Sequence, residues 1–404
     1  MTGLLRRRTF LTRPELKPSY DVVIVGGGVN GLSLAHNLAA HHGITNVAVL
    51  DASYIGSGGS GRNTQVVRAN YNTPETVPLY KASLAIWRTL SQELDFNLLF
   101  STQGELDLCH THDSLEVERD KSLLNRAYGV QTDILTPAEI AKANPLVDLS
   151  GGGEFPVVGA SFHPPGSFAR HDAVVWGYAT SATRRGVHVH EQTRVTGIDV
   201  VDGECRGVAT ERGPVSAGLV VNAAAGWSSL VAQMAGVRLP IVTHPLQALV
   251  TEPLKPFLDP VLVSATLHVY VSQTDRGELV IGSEIDPYAS YSNRSTLPFM
   301  ETSANHVLEL LPCIAGVKVL RQWAGICDMT PDFSPIMGPV PGIDGFILDV
   351  GWGTYGFKAG PVSGLRIAEV IATGRVPDII RPFSIERFAG DQLIGEKAAA
   401  AVSH

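Results

Sequence analysis

Cysteine is scarce in this chain of 404 residues: Cys109, Cys205, Cys313 and Cys327 are widely spaced, with no CxxC and no metal-finger spacing. A disulfide framework is thereby excluded, and the chain reads as a reduced, cytoplasmic protein. Charge is thin as well. Only 17% of residues are charged while 44% are hydrophobic, which excludes global disorder. The net charge of −8 offers no basic surface for nucleic acid or for an anionic membrane. No apolar run approaches the roughly 18–20 residues of a membrane span. Arg7-Arg8-Thr9-Phe10-Leu11 looks like a twin-arginine export signal, but residues 12–18 are polar and carry two prolines where an apolar region would be needed. That basic arm is expected to lie on the protein or on a partner. His41-His42, His110/His112 and His188/His190 lack HExxH spacing or a third ligand motif. No Ser-His-Asp or Cys-His arrangement stands out.

What is plentiful is glycine, at 41 of 404 residues, a sign of backbone approaching something closely in several places. The length makes two domains the default expectation. Asp21-Val22-Val23-Ile24-Val25 is a buried-strand pattern running into Gly26-Gly27-Gly28-Val29-Asn30-Gly31. Leu32 to Ala40 follows with helical spacing, and then Val47-Ala48-Val49-Leu50 reads as a second buried strand ending at Asp51. This is the dinucleotide-binding βαβ pattern. Gly26 allows the tight turn, Gly28 lets backbone approach a pyrophosphate, and Gly31 permits close helix–strand packing. Asp51 stands where a carboxylate meets the ribose. A second glycine–serine run follows the acid, Ala52-Ser53 through Gly58-Gly59-Ser60-Gly61-Arg62-Asn63, and suggests a longer ligand than the first turn could hold.

At that point the sequence resembles the D-amino-acid-oxidase-like flavoproteins, whose members carry such a segment against FAD. Two later blocks extend the resemblance. Val220-Val221-Asn222-Ala223-Ala224-Ala225-Gly226-Trp227 is similar to the stretch that closes over the adenine side, with Val195 in the matching edge position. Gly351-Trp352-Gly353-Thr354-Tyr355-Gly356-Phe357-Lys358 precedes an amphipathic helix, and the resemblance places it at the pyrimidine end of the flavin. The implied fold is α/β plus β: a discontinuous Rossmann-type FAD-binding domain (20–100, 150–240 and 325–385) and a mixed-sheet substrate domain (101–149 and 241–324). Residues 1–19 and 386–404 are terminal extensions. A hairpin is expected to turn at Asp202-Gly203.

Within the family, Arg170-His171-Asp172-Ala173-Val174-Val175-Trp176-Gly177-Tyr178 and the Lys358 loop resemble the catalytic (β) subunits of heterotetrameric sarcosine oxidases. The resemblance implies oxidation of sarcosine at non-covalent FAD, giving glycine and formaldehyde or methylene-tetrahydrofolate, with hydrogen peroxide formed from oxygen. It implies a second flavin, FMN, bonded covalently to His171; locally, His171 reads equally as the first residue of a helix. Arg68 and Lys358 match the pair that holds the substrate carboxylate, and Tyr270 and Thr354 line the same pocket by resemblance. Val280 stands where monomeric relatives place an oxygen-activating lysine, and Cys327 is expected to be a spectator rather than a flavin tether. The implied partners are α, γ and δ subunits, the α subunit carrying NAD and the folate site. A dimethylglycine- or proline-type dehydrogenase subunit, or a non-catalytic flavin-binding subunit, stays open.

Overall fold

The computed structural model describes residues 14–149, 154–390 and 392–396; the Arg7-Arg8 arm and the alanine-rich tail from Lys397 lie outside them. The strand β1 (Ser19–Val25) leads through the glycine turn into helix α1 (Val29–His41) and on to strand β2 (Val47–Leu50). β1 lies mid-sheet, parallel to β2 on one side and to the strand Gly213–Asn222 on the other. That position explains its unbroken apolar run, since Val22, Val23 and Ile24 are buried on both faces. The hairpin of Val195–Val201 and Glu204–Thr210 extends one edge, and His188–His190 closes the other. Its turn sits at Asp202 and Gly203, both with positive φ (53° and 80°), the geometry that favours an Asp-Gly pair. The strand Phe346–Val350 pairs in parallel with the end of Gly213–Asn222. α1 is buried almost all round, against the helices Gly356–Thr373 and His171–Arg184.

A second eight-stranded sheet runs from Val319–Met329 through Val242–Pro253, Glu278–Ile285, Val269–Gln273, Val261–Ser264, Glu105–Cys109 and Gly159–His163 to Asp133–Leu135. It is mixed, because Val261–Ser264 and Glu105–Cys109 pair in parallel while the other neighbours run antiparallel. Gly159–His163 crosses the domain boundary expected at 149/150, and Val319–Met329 straddles the one at 324/325. Neither segment carries a composition shift. Only their pairing partners assign them to this sheet. Side chains of Glu105–Cys109 alternate between two faces that are both largely covered: Leu106 and Leu108 enter the core of this sheet while Glu105 and Asp107 face the other way. Among the described residues no helix is long and apolar enough to cross a membrane.

Candidate active site

The site begins where β1 stops. Gly26 has φ +116°, and a Cβ there would fall inside the contact radius of the Ala223 carbonyl oxygen. A Cβ on Gly31 would collide in the same way with the Gly26 carbonyl, so α1 can sit hard against the turn only with glycine at 31. At the N-terminus of α1, the Val29 amide donates to Ser60 Oγ (2.8 Å), which docks the second glycine run onto the first. Asp51 accepts from the amides of Gly27 and Ser53, both at 2.8 Å. Burial pushes its carboxyl above the usual range, and those two bonds pull it back.

A cleft enclosing about 1660 Å³ of non-protein space, part of it open to solvent, starts at Gly28, Val29 and Asn30. It passes Gly59, Ser60, Arg62, Asn63 and Ala223 and reaches Gly353, Thr354, Gly356, Lys358, Tyr270 and Arg68. The remaining sequence candidates lie outside the lining of this cleft. Gly26, Gly31, Asp51, Ala52, Ser53, Gly58, Val195, Gly226, Trp227 and Gly351 are not among its lining residues. Their roles in the protein itself are in shaping the wall: a Cβ on Gly226 would come 2.5 Å from Ile326, and one on Gly58 would rest 3.5 Å from the Trp227 ring.

Two buried carboxylates missed in the sequence hold the second glycine loop in place. Asp328 Oδ2 accepts from the Gly351 amide (2.6 Å), and the Gly353 amide donates to the Asp328 carbonyl (3.1 Å). Burial pushes the Asp328 carboxyl up to about 7. Asp349 accepts from Trp352 Nε1 (2.8 Å) and from the Ser363 hydroxyl. The loop is thus fixed from below, while the Thr354 hydroxyl on its upper side is buried and has no hydrogen-bond partner. A buried hydroxyl beside glycine backbone, on a cleft that the N-terminus of α1 also lines, fits a flavin dinucleotide.

Arg68 and Lys358 meet at this end. Lys358 is 7% exposed, and its backbone carbonyl accepts from Ser83 Oγ (2.6 Å) and Trp87 Nε1 (2.9 Å), which anchors the first turn of the helix Gly356–Thr373. Its ammonium lies 5.3 Å from the Tyr355 ring centre and makes no ion pair among the described residues. Burial, helped by the Arg68 cation, lowers its pKa to about 7; Glu105 and Asp107 oppose that. Arg68 donates from Nη1 to the Asn70 carbonyl (2.6 Å), turns Nε toward Glu105 Oε1 (3.4 Å) and stacks 4.7 Å from the Tyr71 ring centre. Much of its fork is therefore engaged by protein. Tyr270 accepts from the Thr64 hydroxyl at 3.3 Å.

His171 lies outside this cleft, as the first residue of the helix His171–Arg184. Its Nδ1 is buried without a partner, and burial lowers its pKa, with the Arg170 cation acting in the same direction and Asp172 against it. A smaller cleft of about 420 Å³ is lined by its neighbour Arg170 and by Thr64, Gln65, Phe168 and Val280 among others, without His171 itself. Val280 therefore does not sit on the wall of the main cleft, where the resemblance placed it. It pairs with Ser272, two residues along the strand from Tyr270, and this carries it past the segment 64–66 that separates the clefts. Cys327 does line the main cleft, with burial raising its pKa to about 12, so it is a thiol and not a thiolate.

A cradle of three glycine blocks closed by buried cations defines a flavin-dependent oxidoreductase. Residues 21–370 match the FAD dependent oxidoreductase (DAO) family, and the chain belongs to it. It is 43% identical over 392 residues to the sarcosine oxidase subunit beta of Arthrobacter sp, covering 97% of this chain and 96% of that one. It is also 43% identical over 389 residues to the subunit of the same name from Rhizobium meliloti (strain 1021), covering 96% and 93%. Among solved structures, L-proline dehydrogenase from P. horikoshii superimposes with a TM-score of 0.88 at 28% identity, covering 94% of this chain and all of the other.

Proposed function

We propose that this chain is the β, catalytic subunit of a sarcosine oxidase and carries out the oxidative demethylation of sarcosine. The observation that carries the reading is the convergence of Arg68 and Lys358, one cation from each side, with Thr354 and Tyr270 at the flavin end of the cleft. The pair holds the substrate carboxylate, and so turns the N-methyl group toward the middle of the cleft. The substrate enters as a zwitterion and must lose its ammonium proton before a C–H bond can break. The cationic surroundings of Arg68 and Lys358 favour that loss. Gly28–Asn30, the 58–63 run and the 353–358 loop would hold FAD non-covalently, and it would supply the acceptor for one hydride, that is, for the two electrons the amine loses. The imine left behind adds water and yields glycine and formaldehyde, or hands its one-carbon unit to tetrahydrofolate.

The reading includes FMN, which His171 would hold covalently and which would supply the chemistry for passing the two electrons to oxygen as hydrogen peroxide. It is supported by the buried, unprotonated character of His171 and by the cleft beside it. It also includes α, γ and δ partners, the α subunit supplying NAD and folate sites. The names of the two relatives, which this chain matches over nearly their full length, support a subunit of a larger assembly. Acid precipitation of protein from its native source, followed by peptide mapping, tests the flavin assignment. FMN is expected on the peptide containing His171, with FAD released. An adduct on Cys327 would overturn it. The likeness to proline dehydrogenase favours, as a second reading, an imino-acid dehydrogenase. Anaerobic bleaching of the FAD band by proline but not by sarcosine would select it.

A pH dependence follows from Lys358. Its folded pKa is depressed to about 7, so its charge is present below that pH and is lost above it. Methoxyacetate, an ether isostere of sarcosine without the amine, should therefore bind more weakly above pH 7, by up to about tenfold per pH unit. Flavin absorbance changes in a titration series from pH 6 to 9 would read this. In Lys358→Met protein the affinity should be lower and the slope gone; a slope that survives the substitution would rule out Lys358 as its source.

A further inference from the structure

The cleft does not end at the carboxylate anchors. Beyond Arg68 it continues as an arm lined by Glu105, Asp107, Lys121, Val261 and Val263. Strand register explains this wall: Val261 pairs with Glu105 and Val263 with Asp107, so acids and valines stand side by side on one face. The acids differ in their surroundings. Asp107 is paired with the Lys121 ammonium at 3.1 Å, and Lys121 also reaches Glu118 at 2.9 Å. Glu105, only 2% exposed, has the Arg68 Nε at 3.4 Å as its one ion-pair contact among the described residues. Its second oxygen, Oε2, is buried and has no hydrogen-bond partner. A buried acid oxygen with nothing to satisfy it is costly, and such an atom on a ligand cleft points to a role there.

We propose that Glu105 determines the charge class of the substrate: it restricts the pocket to amines carrying a single carboxylate and excludes dicarboxylates. This rests on the carboxylate site assigned above to Arg68 and Lys358. With Glu105 ionised, the two cations and this one anion leave a single positive charge for one substrate carboxylate. A second carboxylate would have to enter the arm, where Glu105 and Asp107 face it and the one cation, Lys121, is already shared between Asp107 and Glu118. Like charges brought together in a desolvated site cost several kcal/mol. A neutral N-substituent meets no such barrier. Glu105 acts on Arg68 as well, because the contact at Nε turns the remaining edge of the guanidinium toward the cleft. The proposed role is therefore selection by charge, with no bond made or broken by Glu105.

Two ether isosteres that differ by one carboxylate test this directly: methoxyacetate and diglycolate, titrated against the FAD-loaded protein by flavin absorbance at pH 6.5, where Lys358 keeps its charge. Wild-type protein should bind methoxyacetate at least about tenfold more tightly than diglycolate. In Glu105→Gln, which keeps the shape and the contact to Arg68 Nε, that ratio should fall by about tenfold or more, chiefly through tighter diglycolate binding. Glu105→Asp, which keeps the charge, should retain discrimination against diglycolate. An unchanged ratio in Glu105→Gln, or a wild type that does not discriminate, overturns the proposal. If Glu105→Gln fails to retain FAD, the Asp variant decides, since loss of discrimination with the charge still present also overturns it. Anaerobic reduction by sarcosine is measured alongside in wild type, so failure of the sarcosine reading registers separately from failure of the charge filter.

Discussion

Replacement of Arg68 by methionine should lower kcat/KM for sarcosine by roughly 10²–10³-fold, with most of the loss in KM. The size follows from what is removed. One of the two cations facing the substrate carboxylate disappears from a desolvated site, and such truncations cost about 2–5 kcal/mol. Lys358 cannot compensate fully: loss of the Arg68 cation lets its lowered pKa rise, but a single buried ammonium then stands where two cations faced the carboxylate. There is a second consequence. Glu105 loses its one ion-pair contact and stays buried, so its carboxyl must take up a proton or destabilise the fold. Thermal unfolding followed from pH 6 to 9 should show the variant losing more stability than wild type toward the alkaline end, where the proton has to leave. Arg68→Lys restores charge but not the Nε contact and the Tyr71 stacking, and should recover only part of the affinity. Steady-state kinetics at matched FAD content measure both. A KM within threefold of wild type in Arg68→Met would exclude Arg68 as a carboxylate anchor.

Gly31→Ala should abolish FAD retention. Its Cβ would meet the Gly26 carbonyl oxygen, a backbone atom that cannot rotate away. Relief requires α1 to lift off the turn, and three consequences follow together. The helix N-terminus leaves the position where a pyrophosphate would sit, the Val29-to-Ser60 bond stretches, and the packing of Gly360 against Val29 opens. The loss of well-made core contacts alone amounts to about 1–3 kcal/mol. The expected result is protein purified largely without yellow colour and with FAD affinity weakened by more than about tenfold. Gly316→Ala, where nothing lies within 4 Å of the added methyl, is the matched control and should keep its flavin. Wild-type flavin content in Gly31→Ala would show that the helix can shift without harm to the site.

Much of the nucleotide end was legible in the chain because its signals are local. The β1–α1–β2 unit announces itself by periodicity and by glycines whose necessity lies in the turn they form, and Asp202-Gly203 specifies its hairpin through the positive φ of both residues. Even so, several residues of the motif, Gly26, Gly31 and Asp51 among them, lie outside the lining of the cleft while others face it. A motif names a set of residues. Depth within the wall is a matter of packing.

The substrate end was legible only as single residues, and their surroundings came from far along the chain. Arg68 borrows its counter-charge from Glu105 on a strand of the other sheet, and Lys358 has its backbone carbonyl fixed by Ser83 and Trp87. Asp328 and Asp349 support the flavin loop through bonds to amides and side chains that no spacing rule connects in advance. Val280 shows how narrow the margin is: it shares the face of Tyr270, yet two residues of strand carry it into the neighbouring cleft. By itself, then, the sequence determined the class of cofactor and the turns that cradle it, because backbone conformation and helix periodicity are written in neighbouring residues. Which acids are paired, which cation loses its charge near neutral pH and which wall each side chain joins were decided by tertiary structure. Burial and the company of charges are properties of the folded interior, where residues hundreds of positions apart come within a few ångströms.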